Sequence, residues 1–83
     1  MAKREMLITM DQYRSLNPIG KEIHDYWMKW KPKMYRELNE MGRLWAVLSS
    51  ENNRLNEMMI ELVVEQRLAE DQAREIIRAE IYE

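Results

Sequence analysis

From Pro18 onward the apolar side chains recur at steps of three and four. Ile19, Ile23, Trp27, Trp30, Met34, Leu38, Met41, Trp45 and Leu48 keep helical phase over thirty residues, and Tyr26, Leu44 and Val47 widen the stripe. A strand alternates with period two and cannot produce this pattern. A second stripe follows at Leu55, Met59, Leu62, Gln66, Ala69, Ala73, Ile76 and Ile77, with Met58, Val63 and Ile81 beside it.

Punctuation residues divide the pattern. Thr9-x-x-Gln12 is a capping box that opens a short helix through Leu16. Asn17-Pro18 supplies an N-cap followed by proline at the first helical position. Pro32 removes a backbone hydrogen bond and clashes with the carbonyl of Met28, so the helix kinks there. Gly42 weakens the helix further and either ends it or lets it continue to 48. Ser49-Ser50-Glu51 reads as an N-cap with an acid in the first turn. These signals predict an all-α chain and a single domain over 1–83. A short N-terminal helix precedes a kinked helix of about 18–48 and a helix of about 51–81, paired as a long hairpin. Residues 1–8 carry no signal and are expected to be mobile. The stretch 65–72 is the weakest part of the second helix, and Glu70 and Arg74 form an i,i+4 pair in the favourable orientation.

Composition supports this reading. Of 83 residues, 46% are apolar and 34% charged, with two glycines and two prolines, which excludes disorder and turn-rich β folds. A chain this short usually needs a disulfide, a metal or self-association. Cysteine is absent and there is one histidine, so disulfides, thiolate zinc sites and His-rich metal sites are excluded. Two helices cannot enclose a core, because each keeps a wet side. The expectation is a homo-oligomer, most simply a dimeric four-helix bundle with Trp27, Trp30, Met34, Leu38, Trp45 and Leu62 in its core.

No P-loop, GxGxxG, GxSxG, HExxH or EF-hand pattern occurs. Neither an enzyme, a cofactor nor a metal is expected. His24 lies beside Asp25, off the main stripe or at its border, and reads as solvated or capping. Glu57, Glu61 and Glu65 form an i,i+4 row that reads as a solvated acidic face, since no E-x-x-H accompanies it. No apolar run approaches a membrane span, and the stretch 6–10 is too short for a signal peptide, so a cytoplasmic protein is expected.

Net charge is −2, unevenly spread. Residues 1–50 hold nine basic and six acidic side chains, net +3, while residues 51–83 hold four basic and nine acidic, net −5. Lys29, Lys31, Lys33, Arg36 and Arg43 concentrate the positive charge, interleaved with Tyr26 and Trp30. The plain reading is core tryptophans with a solvated basic edge. Three functional readings stand beside it: a phosphate-tracking nucleic-acid patch around 29–43, a surface for an acidic protein partner, and a small anion held between subunits. An acidic partner includes the C-terminal half of the same chain.

The residues Pro18-Ile19-Gly20-Lys21, Tyr35-x-x-Leu38-x-x-x-Gly42-Arg43-Leu44-x-x-x-Leu48, Leu62-Val63 and Ala73-Arg74-Glu75-Ile76-Ile77-x-x-Glu80-Ile81-Tyr82 follow one another in an order seen elsewhere. The chain resembles a shortened member of the TnpV family of small transposon-encoded proteins over roughly 18–82. The stretch between Pro18 and Tyr35 is about one turn shorter than the family's, and the segment before the family's terminal helix is absent. The resemblance implies a bacterial mobile-element or phage setting and no catalytic residue. The function expected is that of a non-enzymatic accessory protein acting by protein–protein binding, as an inhibitor or regulator.

Overall fold

Two helix starts form as their residues dictate. Thr9 Oγ1 accepts the N–H of Gln12 at 3.0 Å and Gln12 Oε1 accepts the N–H of Thr9 at 2.9 Å, which opens α1 (Met10–Ser15). Asn17 Oδ1 accepts the N–H of Gly20 at 2.9 Å, with Pro18 as first residue of α2 (Pro18–Trp30). The computed structural model describes residues 6–82, and all its regular structure is helical: α3 (Pro32–Glu40), α4 (Leu44–Ile60) and α5 (Glu70–Ile81) follow.

The expected kinked helix 18–48 is instead cut into three pieces. Proline disfavours helical geometry at the residue before it, and Lys31 sits at φ −130°, ψ 53°. So α2 stops there and α3 restarts with Pro32 at its first position. Gly42 then ends α3 with φ +69°. Its N–H bonds the carbonyl of Asn39 at 3.0 Å and the Arg43 N–H bonds that of Leu38 at 2.9 Å, the paired 5→2 and 6→1 bonds of a Schellman stop.

The second boundary also moves. Ser49 and Ser50 do not cap a helix; both lie inside α4. The backbone has already turned at Gly42, and Leu44, Leu48 and Leu55 form one buried face that runs straight through the serines. Nor is 51–81 continuous. A π-helical turn, Glu61–Glu65, follows α4, with the Gln66 N–H on the Glu61 carbonyl at 3.1 Å. Arg67 then adopts φ 54° and the Leu68 N–H closes on the Leu62 carbonyl at 3.0 Å. The chain reverses at 66–69, within the stretch of weakest pattern.

That reversal replaces the two-helix hairpin with three packed helices. Asn17 Nδ2 donates to Asn56 Oδ1 at 3.0 Å and Gly20 faces Asn52, so α4 runs antiparallel to α2. Arg78 pairs with Glu22 at 3.2 Å and the ring of Tyr82 meets that of Tyr26 at 4.8 Å, so α5 lies beside α2 in the same direction. Glu70 and Arg74 form their expected i,i+4 pair, at 3.6 Å. Ile23, Trp27, Leu48, Leu55, Leu62, Ala73, Ile77 and Ile81 are buried in one core. One chain therefore encloses a core by itself, in a body measuring 43 × 23 × 19 Å.

The buried face of α2 is Gly20, Ile23, His24 and Trp27. His24, expected at the surface, is fully covered. The reason is helical phase: position 24 is four on from Gly20, whose missing side chain brings α2 and α4 close. A Cβ on Gly20 would stand 2.8 Å from Asn52 Oδ1 and 2.9 Å from Leu16 Cδ2. The His24 ring is satisfied on both nitrogens. Nε2 is 2.7 Å from the Tyr35 hydroxyl and Nδ1 is 3.0 Å from Asp25 Oδ1. An ionised carboxylate only accepts, so Nδ1 carries the proton to Asp25 and Nε2 accepts from Tyr35. Tyr35 in turn accepts the Leu7 N–H at 2.8 Å. This ties down the segment before α1. Of the residues expected to be mobile, 1–5 lie outside the described residues, Ile8 is buried, and Met6 and Leu7 pack on the core.

Candidate interaction surface

Trp30 is the last residue of α2 and is 64% exposed, although the apolar stripe places it in phase with Ile23 and Trp27. Pro32, two residues later, diverts the chain at Lys31, and the stripe loses its phase there. In α3 the buried residue is Tyr35, while Met34 and Leu38 are half-buried and Met41 is exposed.

Beside Trp30 runs an open groove of about 520 Å³, lined by Lys21, Asp25, Tyr26, Lys29, Trp30 and Tyr82 together with Pro18 and Glu22. Its floor is aromatic. Tyr26 and Tyr82 meet edge to face at 72°, and the Tyr82 hydroxyl donates to Glu22 at 2.7 Å. That hydrogen bond, then burial, pushes the Tyr82 phenol above its ordinary value. Lys29 Nζ stands 5.1 Å from the centroid of the Trp30 ring, a cation–π distance. The groove thus offers flat apolar faces with cations and carboxylates around them. Its lining holds no serine, threonine, histidine or cysteine.

A second exposed surface lies on the end of α4 and the π-helical turn. Ile60 is 54% and Val64 66% exposed, and with Glu57, Glu61 and Glu65 they line a shallow groove. The acidic row expected to be merely solvated therefore flanks two uncovered aliphatic side chains. A third cavity, of about 250 Å³, is lined by Ile19, Asn56, Met59 and Ile77. Its two arginines, Arg74 and Arg78, both face carboxylates, Glu70 and Glu22.

The residues singled out in the sequence divide between these places. Tyr26, Lys29 and Trp30 come together in one groove. Lys31, Lys33, Arg36 and Arg43 are exposed and, among the described residues, take part in no ion pair within 4 Å. Lys29 does not share a helix face with Lys33 and Arg36, because the break at Lys31 separates them onto α2 and α3. Of the dimer-core candidates, Trp27 and Leu62 are buried in the chain's own core, Met34, Leu38 and Trp45 are half-buried against it, and Trp30 is exposed. Tyr82, Ile60 and Val64 were not among the candidates. The signal for Ile60 and Val64 was present: two aliphatic residues off the stripe, set among glutamates at i,i+3 and i,i+4.

Among the described residues no group of three or more histidine and carboxylate side chains converges as a metal site, and no helix is long and apolar enough to cross a membrane. Comparison with protein families, with curated proteins and with solved structures returns no match for this chain.

Proposed function

We propose that the protein is a non-enzymatic helical accessory protein that acts by protein–protein binding, with the Trp30 groove as its contact surface. The observation that carries this reading is the exposure of Trp30 beside a tyrosine-floored groove. Tryptophan, tyrosine and arginine dominate the energetics of protein interfaces, and a tryptophan left mostly uncovered gains most from a partner. The TnpV-like residues add a setting, a transposon or phage in a bacterium, where such a protein would inhibit or regulate an enzyme. Self-association belongs to the same reading. Trp27 and Leu62 already serve the core of one chain, so a four-helix dimer seam is a less economical contact than one made through Trp30.

Nucleic-acid binding is the second reading, favoured by the exposure of Lys29, Lys31, Lys33, Arg36 and Arg43. A photoreactive benzoylphenylalanine at position 30 separates the two, with the exposed Ala46 on α4 as control position. Irradiation in the producing cell should give discrete protein adducts from position 30 and none from position 46. Adducts only with nucleic acid, together with binding that falls steeply with salt and vanishes when Lys29, Lys33 and Arg36 become glutamate, would replace the first reading by the second.

A further inference from the structure

The two exposed patches are complementary and stand at opposite ends of the molecule. Asn17 and Asn56 mark the level at which α2 and α4 cross-bond. From that level α2 rises thirteen residues to Trp30, while the antiparallel α4 and its π-helical turn descend eight residues to Val64. At ~1.5 Å per residue the two patches are roughly 30 Å apart, so no chain can bring its own together. At one end an indole lies exposed beside Lys29 and Lys31. At the other, Ile60 and Val64 lie exposed between Glu57, Glu61 and Glu65, and the spacing i, i+3, i+4, i+7, i+8 puts all five on one helix face.

We propose that these ends join copies of this chain head to tail: Trp30 of one copy seats against Ile60 and Val64 of the next, and Lys29 and Lys31 meet Glu57, Glu61 and Glu65. The proposal rests on Trp30 being the contact surface and names its occupant as a second copy. Charge selects Trp30-to-Val64 pairing over the pairing of like ends: the two carboxylates of the Trp30 groove are already engaged, Glu22 by Arg78 and Tyr82 and Asp25 by His24 and Tyr13, which leaves its lysines to a partner. Pairing two Trp30 ends would set lysines against lysines, and pairing two Val64 ends would set glutamates against glutamates; like charges across an interface suppress such pairings. Two copies lying antiparallel side by side make both contacts at once and close as a dimer, whereas copies joined end to end build rings or short chains.

The test uses two full-length variants, Trp30→Glu and Val64→Glu, each disabling one end. Wild type should show a weight-average mass above 10.2 kDa by light scattering, rising with concentration and falling with salt. Each variant alone should be monomeric, with association weakened at least thirtyfold. Mixed one to one, they should form a heterodimer, because the intact tail of one meets the intact head of the other. Circular dichroism reports whether each folds; if either loses helicity, Lys29→Glu and Glu61→Lys take their places. Monomeric wild type overturns the proposal. So does a Trp30→Glu variant that becomes monomeric while Val64→Glu associates as wild type does. Both outcomes leave adducts at position 30 with a different protein as a separate result, so the loss of this inference is distinct from the loss of the binding reading.

Discussion

The Tyr35 hydroxyl makes two bonds that no other group replaces: it accepts the Leu7 N–H and faces His24 Nε2, and its own side chain is 2% exposed. Tyr35→Phe keeps the ring and leaves the buried His24 Nε2 and the half-buried Leu7 N–H without it. The expected cost is about 1–3 kcal/mol, the penalty for stranding a buried polar group, read from the urea midpoint at unchanged slope. An unchanged midpoint would show that water satisfies both groups. The same phenol carries a pH dependence. Burial raises the Tyr35 pKa and the nearby Asp25 adds to this, against the Leu7 N–H, which favours the phenolate. Tyr13 is raised by burial and by Asp25, and Tyr82 by its bond to Glu22. A folded-state pKa above the unfolded value of 10.0 means the fold holds its proton more tightly. Its stabilisation is complete below about pH 10 and is lost as pH rises through the folded value. Stability should therefore fall on the alkaline side, and less steeply in Tyr35→Phe. None of this was legible at position 24. A lone histidine next to an aspartate reads as surface, and only the closeness of Gly20 to Asn52 shows that α2 is rotated so as to bury it.

At the scale of elements, the sequence announces helix starts better than helix stops. Thr9 with Gln12 and Asn17 with the Gly20 N–H form local bonds that depend on nothing distant, and both form as their spacing demands. Ser49-Ser50 carries the same signal and is overruled, because Leu44, Leu48 and Leu55 need one unbroken helix to reach the core. The break at 66–69 has no glycine to announce it; Arg67 takes the left-handed conformation because the three-helix packing requires a reversal there. Left-handed geometry costs roughly 1–2 kcal/mol in a residue with a Cβ. Gly42→Ala should therefore destabilise by about that amount, through the backbone alone, as among the described residues no atom beyond the adjoining residues lies within 4 Å of the new methyl. Arg67→Gly should instead be neutral or stabilising, since relief of strain offsets the ~0.4–1 kcal/mol of added freedom in the unfolded chain. A large loss in Arg67→Gly would show that the arginine side chain, not the turn, is what matters. Gly20 tests the contact between helices. Alanine gains about 1 kcal/mol of helix propensity, but its methyl would overlap Asn52 Cγ and Oδ1 at 2.8 Å. Gly20→Ala should cost about 1–3 kcal/mol net, and Asn52→Ala should rescue it. Among the described residues Asn52 Oδ1 is buried with no hydrogen-bond partner, so its removal exacts little. Additive losses in the double variant would place the strain at Leu16 instead.

At the scale of the molecule, the question raised by a short cysteine-free chain is where its stability comes from. The two stripes suggested that a second subunit must complete the core. The reversal at 66–69 answers part of that within one chain, since α5 folds back and places Ala73, Ile77 and Ile81 against α2 and α4. Large apolar side chains stay uncovered at both ends, Trp30 with Tyr82 at one and Ile60 with Val64 at the other, and Met10, Met41 and Ile76 are exposed as well. Association through those ends would add stability by mass action, because only the folded chain presents both patches. The transition midpoint should then rise with protein concentration. A hundredfold increase above the dissociation constant contributes about 2.7 kcal/mol, and in a domain of this size each kcal/mol moves Tm by roughly 4–8 °C. Val64→Glu should abolish the concentration dependence while leaving the dilute-limit Tm near that of wild type, for its side chain is 66% exposed. Calorimetry over a concentration series measures both quantities. A dilute-limit Tm that drops sharply in Val64→Glu would mean that Val64 supports the π-helical turn itself. A Tm independent of concentration in wild type would mean that the three-helix core suffices alone, with the exposed side chains left for a different partner.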